Sequence, residues 1–205
     1  MKRIAFVGCG GINSWAINQL HNVIQIFEKN DIMYVKLFDK DIVEEKNILR
    51  SNQNFSVDDL QLEKAEVLGK RYNYDFSLTF ITEDNITELE NFDDIIMGVD
   101  NNKSRRLIYD YCLKHKKYLL DLRAQGTNME FHVLDTTKDI EYYDKLMFYN
   151  KDVMERKGSC QLKQDMANDH IENGNQIIAM LGIRGLYLKH LRGEIVSTYD
   201  WKWVY

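Results

Sequence analysis

The sequence predicts an α/β, Rossmann-like fold: a mostly parallel sheet with helices on both faces and a short C-terminal helical and strand extension. Three observations lead there. Apolar, β-branched runs alternate with segments of helical period through residue 137. The first run passes without a spacer into Gly8-Cys9-Gly10-Gly11. The second ends in a carboxylate, Asp39. Residues 1–137 therefore read as a nucleotide-binding domain, and residues 138–205 as a loop and an extension packed on that domain.

Arg3 to Val7 is a continuous apolar run, the pattern of a strand buried on both faces. From Ile12 to Phe27 apolar residues recur at Trp15, Ala16, Leu20, Val23, Ile24 and Phe27, a helical spacing. Strand, glycine turn and helix form a phosphate-binding geometry: glycines let backbone N–H groups approach an anion at a helix N-terminus. Asn13 stands where the usual motif has its last glycine, which predicts looser helix–strand packing. Tyr34 to Phe38 is the second strand. It delivers Asp39 and Asp41, then Val43-Glu44, Asn47 and Arg50, past its carboxyl end, where ligands of open α/β sheets sit. Asp39 suits ribose hydroxyls.

Ser56 to Leu68 predicts one capped helix, with Ser56 as N-cap and Asp59 three residues on. Lys64 lies within it. Phe76 to Ile81 alternates as a third strand, and Asn85 to Phe92 is a short helical connection. Asp94 to Val99 is a buried strand ending at Asp100-Asn101. Asn102 to His115 follows as a helix with Arg105 and Arg106 near its start. Asp100 at that strand end suits either a helix cap or a metal-bound phosphate. Tyr118 to Leu122 and Met129 to Asp135 predict strands joined by a hairpin through Gly126. His132, alone inside a strand, reads as structural. Residues 140–158 read as a loop over the site. Asn175 to Leu191 is an apolar helix, and Trp201, Trp203 and Tyr205 alternate in a final strand or docking tail.

Composition narrows the function classes. The chain has 205 residues, 44% hydrophobic and 29% charged, enough for one domain with a sizeable core. A net charge of −5 gives no electrostatic footprint for nucleic acid. No apolar run approaches the roughly 20 residues of a membrane span. Three widely spaced cysteines, Cys9, Cys112 and Cys160, argue against a disulfide framework and for a reducing cytoplasm. Without a Cys-x-x-Cys pair, no zinc is expected.

Four motifs in order, Gly8-Cys9-Gly10-Gly11, Asp39 through Arg50, Lys64, and Asp100-Asn101, jointly resemble the ThiF/MoeB/E1-like superfamily over residues 4–135. Its members include ubiquitin-like modifier activating enzymes and ThiF-type adenylyltransferases. The C-terminal part, with Ser159-Cys160, Gln164-Asp165 and an apolar helix, looks like members carried by plasmids and phages. The resemblance implies ATP held by Gly8, Gly10, Gly11, Asp39, Asn47, Arg50 and Lys64, with Mg²⁺ on Asp100. Arg50, Lys64 and Asp100 are then the catalytic set, and Cys160 the candidate thioester site.

The implied reaction is attack of a carboxylate, the C-terminal glycine of a ubiquitin-like or sulfur-carrier protein, on the α-phosphorus of ATP. An acyl-adenylate and pyrophosphate result. Arg50, Lys64 and Mg²⁺ would neutralise the phosphate charge, and the glycine turn, Asp39 and Asn47 would fix the nucleotide in line. No general base is required, because a carboxylate is ionised near pH 7. The resemblance also implies a homodimer. The sequence starts at its first strand, without the N-terminal helices of many relatives, and lacks their zinc-binding cysteine pairs. Two other readings stay open: an NAD(P)-dependent oxidoreductase, which uses the glycine turn and Asp39 but leaves Arg50, Lys64 and Asp100 idle, and a non-catalytic E1-like subunit that binds a partner.

Overall fold

The computed structural model describes residues 2–28, 33–49, 53–125, 128–134, 173–195 and 198–202. Seven strands form one sheet, β1 (Lys2–Val7), β2 (Met33–Phe38), β3 (Asp75–Ser77), β4 (Asp94–Met97), β5 (Tyr118–Gln125), β6 (Asn128–Leu134) and β7 (Thr198–Lys202), in the order β3-β2-β1-β4-β5-β6-β7. The first five in that order are parallel, and β6 and β7 add antiparallel. The predicted mixed α/β fold with a mostly parallel sheet is thus observed. The chain leaves β1 toward β2 on one side and returns through β4 on the other. That reversal opens a crevice at the carboxyl ends of β1 and β4, the usual ligand position.

The strands read as unbroken apolar runs because both faces are covered. Ile4, Phe6, Val35, Leu37, Ile96, Leu120 and Leu122 point into one core. Ala5, Val7, Ile95, Met97 and Leu119 point into the other. The first core is closed by α1 (Gly11–Glu28), α3 (Lys64–Tyr72) and α5 (Gly174–Arg192), and the second by α4 (Asn102–Lys114). Helix α1 buries Ala16, Ile17, Leu20 and Ile24, the stripe its sequence period predicts. Helix α5 packs on α1, β5 and β6. A five-residue helix, α2 (Glu45–Leu49), follows β2.

Two expected elements differ. The helix expected over Ser56–Leu68 is broken: a 3₁₀ turn covers Val57–Asp59, and α3 starts only at Lys64. The Ser56 start is right, since its N–H and Oγ both donate to Asp59 Oδ2, at 2.7 and 2.9 Å. The break comes from pairing with the chain after β2. The Val43 N–H donates to Leu62 O and the Gln61 N–H to Val43 O, Ile42 bridges Glu63, and Gln61 takes a φ of 65°. The third strand stops at Ser77 rather than Ile81. Its last register partner is Phe38, and beyond it the Asn85 amide turns the chain back by donating to Phe80 O at 2.9 Å. The hairpin, α5 and a final strand are present. The loop expected over 140–158, with Trp203 and Tyr205, lies outside the described residues.

At the amino end of β4, the fully buried Asp94 receives Lys189 and His190 from the last turn of α5, with His190 Nε2 at 2.7 Å. Burial works against the carboxylate, but the His190 hydrogen bond and the Lys189 and His190 charges outweigh it and hold the carboxyl below its ordinary range. A carboxyl depressed in the folded state contributes stability that is present above its unfolded pKa and is lost as pH falls through the folded one. Urea melts should therefore show stability falling as pH drops from about 4 downward. Asp94→Asn should be less stable at neutral pH and flatten that decline. An unchanged decline would mean the acid sensitivity lies elsewhere.

Candidate functional site

The glycine turn sits where β1, β2 and β4 end. Gly8 has a φ of +82°, a conformation that glycine adopts without strain, and its N–H donates to Phe38 O at 2.9 Å. A Cβ there would stand 3.0 Å from Gly98 O. At Gly10 the space a Cβ would fill has no atom within 4 Å. Helix α1 begins at Gly11, so its first-turn N–H groups lack intrahelical acceptors and carry the positive end of the helix dipole. The turn therefore borders open space suited to an anion.

Asn13 is fully buried, and its Nδ2 donates to Gly8 O at 2.7 Å and Val7 O at 3.2 Å. The looser packing expected of Asn13 is not found. Gly98 lies against it: a Cβ on Gly98 would come within 2.6 Å of Asn13 Cγ. The close approach given up by the missing glycine in α1 is recovered by a glycine on β4's end.

Asp39 closes the second side. Its Oδ2 accepts the Cys9 N–H at 2.6 Å and its Oδ1 the Asp41 N–H at 2.8 Å. Burial pushes its carboxyl above the ordinary value, opposed by those two N–H groups and by Lys64. Lys64, the first residue of α3, is largely buried, with Nζ 3.4 Å from Asp41 Oδ2. Asn47 is buried in α2, where its Oδ1 accepts the Glu44 N–H at 2.8 Å. Arg50 lies outside the described residues.

On the third side the turn after β4 meets β1, with the Gly98 N–H donating to Val7 O at 3.0 Å. Asp100 is exposed. The cap of α4 is Asn101, whose Oδ1 accepts the Ser104 N–H at 2.8 Å, so the capping role considered for Asp100 falls to its neighbour. Among the described residues no group of three or more His, Cys, Asp and Glu gathers to hold a metal.

Sequence reasoning missed a charged cluster beside this turn. Arg105 of α4 donates to Asp121, fully buried on β5, and to Val99 O; Arg123 donates through Nε to Asp121 Oδ2 at 2.7 Å. Burial opposes Asp121's charge, yet Arg105, Arg123 and His132 hold it below the carboxylate range. Two charged residues in alternate positions of a buried strand, with arginines on the preceding helix, were the available signal. His132, expected to be structural, is buried, faces Asp121 across β5 and β6, and its Nε2 bonds Glu130 Oε2 at 3.0 Å.

Two cysteines are packing residues. Burial and the Asp39 charge push the Cys9 thiol far up, and burial pushes Cys112 to about 12. Neither offers a thiolate near neutral pH. Iodoacetamide should modify both only after denaturation, read by peptide mass; labelling in the native protein would contradict this packing. Cys160 lies outside the described residues.

The model of the ThiF family matches residues 1–182. No curated protein matches the chain in sequence. Among solved structures it resembles PaaA, at 14% identity and a TM-score of 0.65, covering 98% of this chain and 73% of that one. It also resembles E. coli MccB, at 15% identity and a TM-score of 0.69, covering 98% of this chain and 59% of that one. E. coli MccB with ATP matches at 14% identity and a TM-score of 0.66, covering 98% and 64%. The chain thus spans less than two thirds of the MccB chains it matches, and at these identities the likeness speaks for the fold. The glycine turn, the acid after β2, the lysine heading α3 and the family match over residues 1–182 agree: the chain belongs to the ThiF family.

Proposed function

We propose that this protein is an ATP-dependent adenylyltransferase. It activates the C-terminal carboxylate of a ubiquitin-like or sulfur-carrier protein ending in glycine. The observation that carries the reading is the convergence of four features on one crevice: the open glycine turn, Asp39, Lys64 and the Asp100 turn. An oxidoreductase would use only the first two. In the neighbouring family structures, MccB is seen with ATP and with MccA; here too a nucleotide and a protein or peptide substrate would share the crevice.

In this reading the α1 N-terminus receives phosphate oxygens and Asp39 receives the ribose hydroxyls. Lys64 and Arg50 neutralise charge on the triphosphate as the α-phosphorus is attacked, and Asn47, bonded to the Glu44 N–H, helps fix the nucleotide in line. The substrate carboxylate forms the new P–O bond, and pyrophosphate leaves with the electrons of the broken one. Mg²⁺ uses one or two carboxylates and completes its shell with phosphate oxygens and water, so the exposed Asp100 fits it without a protein cage. That ion would supply charge neutralisation on the phosphates. If the acyl group moves on, the Cys160 thiolate would displace AMP to give a thioester. Homodimer formation is part of the proposal; an apolar groove between α1 and α5, lined by Val23, Met180, Ile183 and Tyr187, offers a surface for it.

Intact-mass analysis of small carrier proteins ending in Gly-Gly, incubated with enzyme, ATP and Mg²⁺, tests the reading. An AMP addition at the carrier C-terminus is expected. Thermal stabilisation by NADH but not by Mg²⁺-ATP would turn the assignment to the nicotinamide alternative.

A further inference from the structure

The ammonium of Lys64 stands in a largely buried position, with 8% of its side chain exposed, facing an Asp41 carboxylate that is 57% exposed. Their separation of 3.4 Å is long for a charge-assisted hydrogen bond, which closes to about 2.7–2.9 Å when both partners are free to optimise it. Asp41 is also wired into the site through its backbone. Its N–H donates to Asp39 Oδ1 at 2.8 Å, and its C=O accepts the Lys64 N–H at 2.8 Å. One residue thus links the expected ribose acid to the expected phosphate lysine through its backbone, and its side chain faces the lysine.

We propose that Asp41 is the exchangeable counter-ion of Lys64. It holds the ammonium in the nucleotide-free crevice and gives it up to the phosphates of ATP. This deepens the adenylation reading and rests on it. A lysine buried in the company of Asp39 and Asp41 needs a local anion while the crevice lacks one, because an uncompensated buried charge is costly. A lysine is a point charge on a flexible four-carbon stem, so it can change partners without moving its helix. Asp41, half in water, loses little on being left behind. The exchange subtracts the strength of the ion pair from phosphate affinity. It also restores the pair when pyrophosphate departs, which favours release.

A thermodynamic cycle tests this. Mg²⁺-ATP binding is measured by calorimetry for the unmutated protein, Asp41→Asn, Lys64→Met and the double variant, with circular dichroism confirming that each folds. Asp41→Asn should tighten ATP by roughly two- to fivefold, the scale of a partly exposed ion pair. In the Lys64→Met background the same substitution should change Kd less than about twofold, because the coupled partner is gone. Equal tightening in both backgrounds would overturn the proposal in favour of a general charge effect. Weaker binding in Asp41→Asn would overturn it by showing that the carboxylate is needed beside the nucleotide. Failure of the unmutated protein to bind ATP would instead remove the adenylation reading, and this exchange with it.

Discussion

Lys64→Met should lower ATP–pyrophosphate exchange by about 10²–10³-fold, the usual effect of removing one preorganised charge from a transition state in a water-poor site. The fold should survive. The methionine reproduces most of the lysine stem against the α3 surface, and the former partner, Asp41, is exposed enough to be solvated. Circular dichroism and thermal melts would check that the loss is chemical. In the proposed reaction Lys64 touches phosphate in the starting complex as well as the transition state, so KM for ATP should rise while kcat falls. Unchanged kcat and KM would mean that Lys64 binds nothing in the reaction path.

Gly98→Ala is the second large effect, and it acts through packing. The added Cβ would lie 2.6 Å from Asn13 Cγ and 2.8 Å from both terminal atoms of that side chain. Asn13 cannot yield easily, since its amide is fixed on the carbonyls of Val7 and Gly8. Overpacking of this kind costs about 1–3 kcal/mol. It would also separate the Gly98–Asp100 turn from the glycine turn, so ATP binding should weaken along with stability. Asn13→Ala alone takes the amide donor from Gly8 O and leaves Val7 O with the Gly98 N–H, at about 0.5–1.5 kcal/mol. Combined with Gly98→Ala it makes the missing space. Urea denaturation of the four proteins should therefore show a favourable coupling above about 1 kcal/mol. Strict additivity would show that the two residues do not compete for the same volume.

Much of the fold was legible because its signals are local. Arg3 to Val7, the glycine turn and α1 sit next to each other in the chain, and the apolar period states which face is buried. Asp39 follows its strand directly, whereas Lys64, expected within a helix from Ser56, is seen to head α3 only in the structure. What was not legible depends on partners far away in sequence. The break at Gln61 exists because residues 61–63 pair with Val43 and Ile42, which no local propensity reports. Asn13 reads as a defect until Gly98, in the turn after β4, is set beside it. Asp94 looks like an ordinary strand residue until α5 brings Lys189 and His190 over it. Asp121 likewise depends on Arg105 from the preceding helix. Asp100 and Asn101 are neighbours with interchangeable capping chemistry, and only the geometry assigns the cap to Asn101.

The central claim is chemistry at the α-phosphorus of ATP, and ATP–[³²P]pyrophosphate exchange with Mg²⁺ and a panel of carrier proteins ending in Gly-Gly tests it most directly. The account predicts exchange that requires a carrier and is lost in Lys64→Met, Arg50→Ala and Asp100→Ala. Carrier-dependent release of ADP and phosphate, with no label entering ATP, would contradict it.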